Sequence, residues 1–194
     1  MKVNLNQHVP HIIQIIHVLL KRENNQLKDP LVIKQQVLIC FDRLINRLSI
    51  LPLPSDLIDD LFHYASSSWS IDGLNCIHEL ILKQHIPKQY EIILHSSLRH
   101  VIQLILLINP NLSVMIINKI TEILRAVFNL HLKRCESIEH YPMLDLLTGL
   151  YKFTFQQVTQ DGFYSCLDIW SIFIEYIKIQ DENRITSKEN SSEK

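Results

Sequence analysis

Residues 151–177 read YKFTFQQVTQDGFYSCLDIWSIFIEYI: an apolar helical run, a polar joint containing Gly162, and a second run that carries Trp170. In the second run Phe163, Cys166, Leu167, Trp170, Phe173, Ile174 and Ile177 recur at intervals of three and four, with Asp168, Ser171, Glu175 and Lys178 on the opposite side. Such spacing lays one apolar stripe along a helix and leaves the other side to water. A helix of this kind draws its stability from packing, so it requires cover from the preceding run or from another chain. The same demand recurs in almost every other segment, which predicts a stack of helices.

Outward from this stretch, all seven prolines, Pro10, Pro30, Pro52, Pro54, Pro87, Pro110 and Pro142, lie at joints between apolar runs. Proline fits the first turn of a helix, where a missing N–H costs nothing, and is excluded from the interior. Capping residues agree: Asp29 precedes Pro30, Ser55 and Asp56 follow Pro54, Ser70 precedes Ile71, Asn111 follows Pro110, and Thr159 opens the last run. Each can accept a bond from a free N–H of a first turn. The pattern predicts eight helices, over 9–22, 30–49, 55–67, 70–84, 87–108, 112–136, 141–157 and 160–179. Strand alternation is nowhere sustained, so the fold class is all-α. Short joints make successive helices antiparallel neighbours. Pairs of roughly 33–50 residues match HEAT-like repeats of an α-solenoid, although no sequence repeats at a fixed period and a compact bundle is the alternative.

The helix from Leu112 illustrates the solenoid reading. Ile116, Ile120, Ile123, Val127 and Leu130 form one apolar row, and Asn118, Glu122, Arg125, Asn129 and Lys133 form a polar row on the far side. One side packs and the other is presented. After Lys178 the apolar pattern stops, and residues 180–194, QDENRITSKENSSEK, offer too little apolar surface to offset their ordering entropy. A helical repeat segment over 1–179 followed by a disordered polar tail over 180–194 is the expected division.

At 194 residues, 47% hydrophobic and 20% charged, the chain is long enough for one domain with a sizeable core. A formal net charge of -1 argues against nucleic-acid binding, which needs a basic face to neutralise phosphates. The longest aliphatic stretch, Val101 to Ile108, is interrupted by Gln103 and is well short of the ~20 residues that cross a bilayer. Gln14 and His17 interrupt the first apolar run, against a secretory signal. The cysteines, Cys40, Cys76, Cys135 and Cys166, are widely spaced within helical patterns and read as reduced core thiols.

Reactive motifs are missing. Gly73, Gly149 and Gly162 are the only glycines, too few for a phosphate-cradling loop, and no H-E-x-x-H occurs. Asp60 and His63 have a D-x-x-H spacing, and His131 and Cys135 lie one helical turn apart, but neither pair has a companion pair to complete a metal site. His95 and His100 read as ordinary helix residues, and no Ser, His and Asp set stands out as a triad. No catalytic residue, cofactor or metal is expected. Leu44, Leu48, Leu51 and Leu53 have the spacing of a nuclear export signal, which a core helix and its exit turn also produce.

The stretch LHLKRCESIEHYPMLDLLTGLYKFTFQQVTQDGFYSCLDIWSIFIEYI, residues 130–177, resembles the middle region of exportins, nuclear export receptors of the karyopherin (importin-β-like) family. CIHELILKQHIPKQYEIIL, residues 76–94, resembles the same proteins. The likeness includes the uncommon runs K-R-C-E-S, F-T-F-Q-Q and G-F-Y-S-C-L-D-I-W, and is greatest to the exportin that carries profilin and actin. Residues 1–70 match only as compatible helices. The resemblance implies a shuttling receptor of HEAT repeats, moving between nucleus and cytoplasm, with Ran-GTP, profilin-actin cargo and nuclear pore proteins as partners of the full-length form. It implies no catalysis, since GTP hydrolysis belongs to Ran.

Exportins are several times longer, and their Ran-binding first repeats are not recognisable here, so the chain looks like an internal fragment. A solenoid cut at both ends exposes apolar faces, which predicts self-association in isolation. On the expected inner surface, Lys119, Glu122, Arg125, Lys133 and Arg134 are the candidate protein-binding residues, with Asp168 and Glu175 on the last helix. Two other readings stand beside this one. They are a scaffold or adaptor solenoid with no transport role, and an all-helical enzyme, whose sign would be a closed pocket lined by converging polar groups.

Overall fold

The structure is a computed structural model that describes residues 5–22, 29–47, 53–84, 86–88, 91–109 and 111–192, with side chains between 8 and 185. Among the described residues there are nine helices and no strand: α1 Leu5–Lys21, α2 Pro30–Arg47, α3 Ser55–Ser68, α4 Ile71–Ile81, α5 Glu91–Leu106, α6 Val114–Leu130, α7 Leu132–Ser137, α8 Met143–Phe155 and α9 Gln160–Ser192. Helices α1, α3, α5 and α8 pack side by side in one layer, and α2, α4, α6 and α9 in a second. Each of α1/α2, α3/α4, α5/α6 and α8/α9 is a pair bridging the layers. This is the all-α, solenoid-like stack of helix pairs that the periodicity predicts.

The core runs the length of the stack, between the layers. Helix α6 buries Ile116, Ile120, Ile123 and Val127 on one side, and Ile117, Thr121, Leu124 and Phe128 beside them, because it has α4 on one flank and α9 on the other. Helix α4 is as closely held. A Cβ on its Gly73 would stand 3.1 Å from the Cβ of Ala65, so α3 and α4 approach to a distance that a side chain there would contest. Buried hydroxyls on the helices turn back to their own backbones, Thr121 Oγ1 donating to the Ile117 carbonyl at 2.9 Å and Thr154 Oγ1 to Leu150 at 2.8 Å. Among the described residues no buried side-chain polar atom lacks a partner.

Several expectations are corrected. Pro10 is not at a joint but inside α1, where its ring nitrogen cannot bond the Asn6 carbonyl. The predicted run 112–136 breaks at His131 (φ −127°, ψ 1°) into α6 and α7. The cap of α6 is Ser113, whose Oγ accepts from Ile116 N at 3.4 Å, and not Asn111, whose own N–H is bonded to Asn109 Oδ1 at 3.0 Å. Ser70 and Thr159 cap as expected, accepting from Gly73 N at 3.3 Å and Gly162 N at 3.1 Å. Cys40 is exposed, unlike the other three cysteines. Leu44 is partly buried and Leu53 buried, as packing leucines are, while Leu48 and Leu51 lie outside the described residues.

The last helix departs furthest from its reading. The stripe splits: Cys166 is buried and Trp170 and Phe173 pack against the core, joined by Ile169 and Tyr176, whereas Leu167, Ile174 and Ile177 face outward. Trp170 Nε1 donates to Thr154 Oγ1 at 3.1 Å, which fixes the inner row against α8. The backbone then stays helical through Ser192, with residues 181–185 exposed. Glu, Gln, Lys and Arg are good helix formers, and propensity can continue a helix that has no surface to pack on.

Candidate binding face

The outward side of the second layer carries the polar residues that α6 cannot bury. Asn118, Glu122 and Asn129 are exposed, and Lys119 and Arg125 are half-buried, because the flanks of α6 are taken by α4 and α9 and its back by α5. Lys119 is paired with Glu122. Arg125 reaches across to α9, its Nη2 lying 3.5 Å from Asp168 Oδ2. Asp168 is well exposed and Arg125 partly so, and the pair contributes at most about 1 kcal/mol and leaves its charges accessible. Glu175 lies 3.9 Å from Lys178 on the same helix.

Lys133 is exposed on α7, but Arg134 turns inward. Arg134 Nη2 donates to the Gln84 carbonyl at 3.2 Å, and its Nη1 to His131 Nδ1 at 2.8 Å. His131 is fully buried, and its Nε2 lies 2.6 Å from the Ile81 carbonyl. A carbonyl can only accept, so Nε2 carries the proton and Nδ1 is the acceptor for Arg134. Burial lowers the His131 pKa and the Arg134 charge lowers it further, against the opposing pull of the Ile81 bond. A neutral imidazole therefore pins the α6–α7 break to the end of α4, and this is the reason the long helix breaks there. His131 is thus no edge residue, and among the described residues no group of three or more His, Cys, Asp or Glu could hold an ion. Burial also pushes the Cys135 and Cys166 thiols up to about 11, and Cys76 well above its ordinary value, so all three are protonated at neutral pH.

Residues that the sequence did not single out extend this face. Asp42 of α2 and His78 of α4 lie near enough to Lys119 of α6 to share its field, and Asp72 of α4 lies near Asp42. Burial raises the Asp42 pKa, opposed by Lys119 and reinforced by Asp72, and burial lowers that of His78, with Lys119 adding to the effect. The result is a band of mixed charge crossing α2, α4, α6 and α9. Each residue reads as a solvated polar position within its own helix. The alignment between helices appears only once they are stacked, and no signal in the sequence carries it.

The first layer holds a different polar set. His17 Nε2 of α1 lies 2.8 Å from Asp60 Oδ2, Lys21 Nζ donates to Asp56 Oδ2 at 3.0 Å, and His100 Nε2 of α5 lies 2.8 Å from Asp59 Oδ1. Asp60 thus pairs with His17 and not with His63. These contacts tie α3 to both neighbours, and His100 also stacks on Phe62 at a centroid distance of 5.0 Å. The clefts between these helices, one lined by Asp59, His63 and His100 and another by Lys34, Asp60 and Tyr64, are surface grooves that follow the joints between helices. Among the described residues no helix is long and apolar enough to cross a membrane.

Comparison with known proteins bears out the likeness to exportins. Human exportin-6 is 33% identical over 129 residues, which cover 60% of this chain and 12% of the relative. Exportin-6 of Dictyostelium discoideum is 33% identical over 157 residues, 74% of this chain and 15% of the relative, and that of Danio rerio 27% identical over 143 residues, 66% and 13%. The chain thus spans about one-eighth of the length of the curated relatives it matches. No family model and no solved structure matches.

Proposed function

We propose that this chain is a segment of a nuclear export receptor, a non-enzymatic scaffold that presents a helical face to protein partners. The observation that carries this reading is the similarity to exportins over as much as 74% of the chain, together with a stack of helix pairs of the kind that spreads binding over many shallow contacts. In the full-length receptor the partners are Ran-GTP and a protein cargo, profilin-actin, with nuclear pore proteins met during passage between nucleus and cytoplasm.

The proposed contact residues are Lys119, Glu122, Arg125, Lys133 and Arg134, flanked by Asp168 and Glu175. On this reading the outward face of α6 in the second layer is the side presented to a partner. Within the set, Arg125 and Lys133 are the sharpest probes, since Arg134 is bound up with His131 and Gln84.

The test is capture of actin and profilin by the full-length receptor, with and without Ran in its GTP state, repeated after Arg125→Glu and Lys133→Glu. Reduced GTP-dependent capture with an unchanged fold is the expected result. Undiminished capture would make these two side chains bystanders. Failure of the unaltered receptor to capture either protein would leave the solenoid as a scaffold of another kind.

A further inference from the structure

Lys34 of α2 is 8% exposed, and a lysine is seldom buried so far without a carboxylate beside it. Among the described residues it has neither a hydrogen bond nor an ion pair. Its Nζ lies 5.5 Å from the centre of the Tyr64 ring on α3. A ring face attracts the charge but offers no oxygen to the three N–H donors. Since no fully buried side-chain polar atom of the described residues lacks a partner, this unbonded Nζ reaches solvent. It does so at a cleft of about 450 Å³ between α1, α2 and α3, which Lys34 lines together with Arg22, Tyr64, Ser67 and Ser68.

We propose that this cleft is a binding site for a phosphate monoester, held between Lys34 and Arg22 with the Ser67 hydroxyl as a third donor. Arg22, just past the end of α1, is exposed and has no bonded partner among the described residues either. Ser67 and Ser68 follow Tyr64 by three and four residues, which sets all three on one side of α3. Ser68 Oγ donates to the Tyr64 carbonyl at 2.6 Å and occupies it, whereas Ser67 Oγ lies 3.4 Å from the same carbonyl and is the easier hydroxyl to turn toward an incoming oxygen. An ammonium, a guanidinium and a hydroxyl thus converge from three helices. That arrangement suits a tetrahedral group with several oxygens, where a planar carboxylate is satisfied by one guanidinium fork.

Two features oppose an anion here, and both are already engaged. Asp60 also lines the cleft, but its Oδ2 lies 2.8 Å from His17 Nε2 and 3.6 Å from Lys21 Nζ. The other is the carbonyl end of α3, whose partial negative charge Ser68 blunts at Tyr64. Lys21 is committed to Asp56 and Asp60, so the free positive charge at the cleft is that of Arg22 and Lys34. The site uses none of the residues proposed to contact protein partners, and it does not depend on the export reading.

The test is titration of the isotope-labelled 194-residue chain with sodium phosphate at neutral pH and constant ionic strength, followed by amide chemical shifts. Saturating shifts are expected at Leu31, Lys34 and Ser67, with the α6 face unmoved. Lys34→Met, which keeps the buried stem, and Arg22→Gln should each weaken binding about tenfold, the loss of one charge-assisted bond. Should Lys34→Met lose helical circular dichroism, Arg22→Gln carries the test, since Arg22 is exposed. A second arm uses an alanine peptide with one phosphoserine, beside its unphosphorylated form. Tighter binding of the phosphopeptide than of inorganic phosphate assigns the site to a modified side chain, and equal or weaker binding assigns it to a free phosphate. Shifts that grow without saturating, that spread evenly to exposed lysines such as Lys133, or that both variants leave unchanged would overturn the proposal. So would an equal response to sodium acetate, which would make the cleft a carboxylate site.

Discussion

Helix α6 and helix α9 begin from similar sequence: each has an Ile-rich and Phe-containing run with apolar residues at intervals of three and four. In the structure α6 buries nine residues, from Ile116 to Phe128, while among the described residues of α9 only Gly162, Cys166 and Ile169 are buried. The difference lies in neighbours and not in composition. Helix α6 is flanked by α4 and α9, and α9 has α6 on one side only. In a stack, the apolar content of a helix reports how many flanks it is built to cover. How many are covered depends on position.

The comparison is broken most severely from the inside. Phe128 is 2% exposed and meets Phe173 edge to face with centroids 6.0 Å apart, so Phe128→Ala is expected to cost about 3–5 kcal/mol in urea unfolding. Phe155→Ala on the bare flank should stay within about 0.5 kcal/mol in a dilute solution. Equal losses at the two positions would mean that the α8 flank is covered.

A smaller effect is expected at the polar pin of the interior. His131→Ala leaves the Ile81 carbonyl without its donor, at a cost of about 1–3 kcal/mol from that group alone. The pin also sets a pH dependence. Because burial depresses the His131 and His78 pKa values, the unfolded chain takes up protons that the folded chain refuses. Their contribution to stability is therefore complete above the ordinary histidine value of about 6.5 and declines as pH falls through it. His131→Gln, which keeps an N–H donor and removes the titration, should make the loss between pH 7.5 and 5.5 shallower. An unchanged slope would assign that pH dependence elsewhere.

Capping gives a finer test, since it acts on one interior and one terminal helix by the same chemistry. Ser70→Ala at α4 and Thr159→Ala at α9 each remove a side-chain acceptor of a first-turn N–H, at about 1 kcal/mol apiece. If local unfolding at the end is easier, hydrogen exchange after Thr159→Ala should quicken in α9 alone, and after Ser70→Ala throughout the stack. The smallest change expected is at the surface, where Arg125→Glu breaks the pair with Asp168 and should alter stability by less than about 1 kcal/mol.

Much of this was legible in the residues themselves. The period of 3.6 in the stretch from Phe163 to Ile177, the prolines at Pro30, Pro54, Pro87 and Pro142, and the caps at Ser70 and Thr159 suffice for an all-helical stack, because each is a local rule. The break at His131 was not legible, because it is set by a carbonyl fifty residues earlier, at Ile81. Nor was the split of the α9 stripe, since periodicity marks a residue as apolar without saying which of two flanks is occupied. The polar row of α6 was readable from Asn118 to Asn129, whereas the extension of that face through Asp42 and His78 depends on how the helices register against each other. Pro10 misled because α1 starts at Leu5 and runs on through the proline, forgoing the bond to the Asn6 carbonyl that the local rule would keep.

The central claim is that helices with both flanks covered hold the stack together and that the end pairs are held on one side. Hydrogen exchange of the dilute chain, resolved helix by helix, tests this most directly. The slowest amides should lie in α4 and α6, with α1 and α8 faster and the part of α9 beyond Lys178 fastest. Protection in α8 and α9 equal to that in α6 would describe a closed globule with no open end, and would contradict the account.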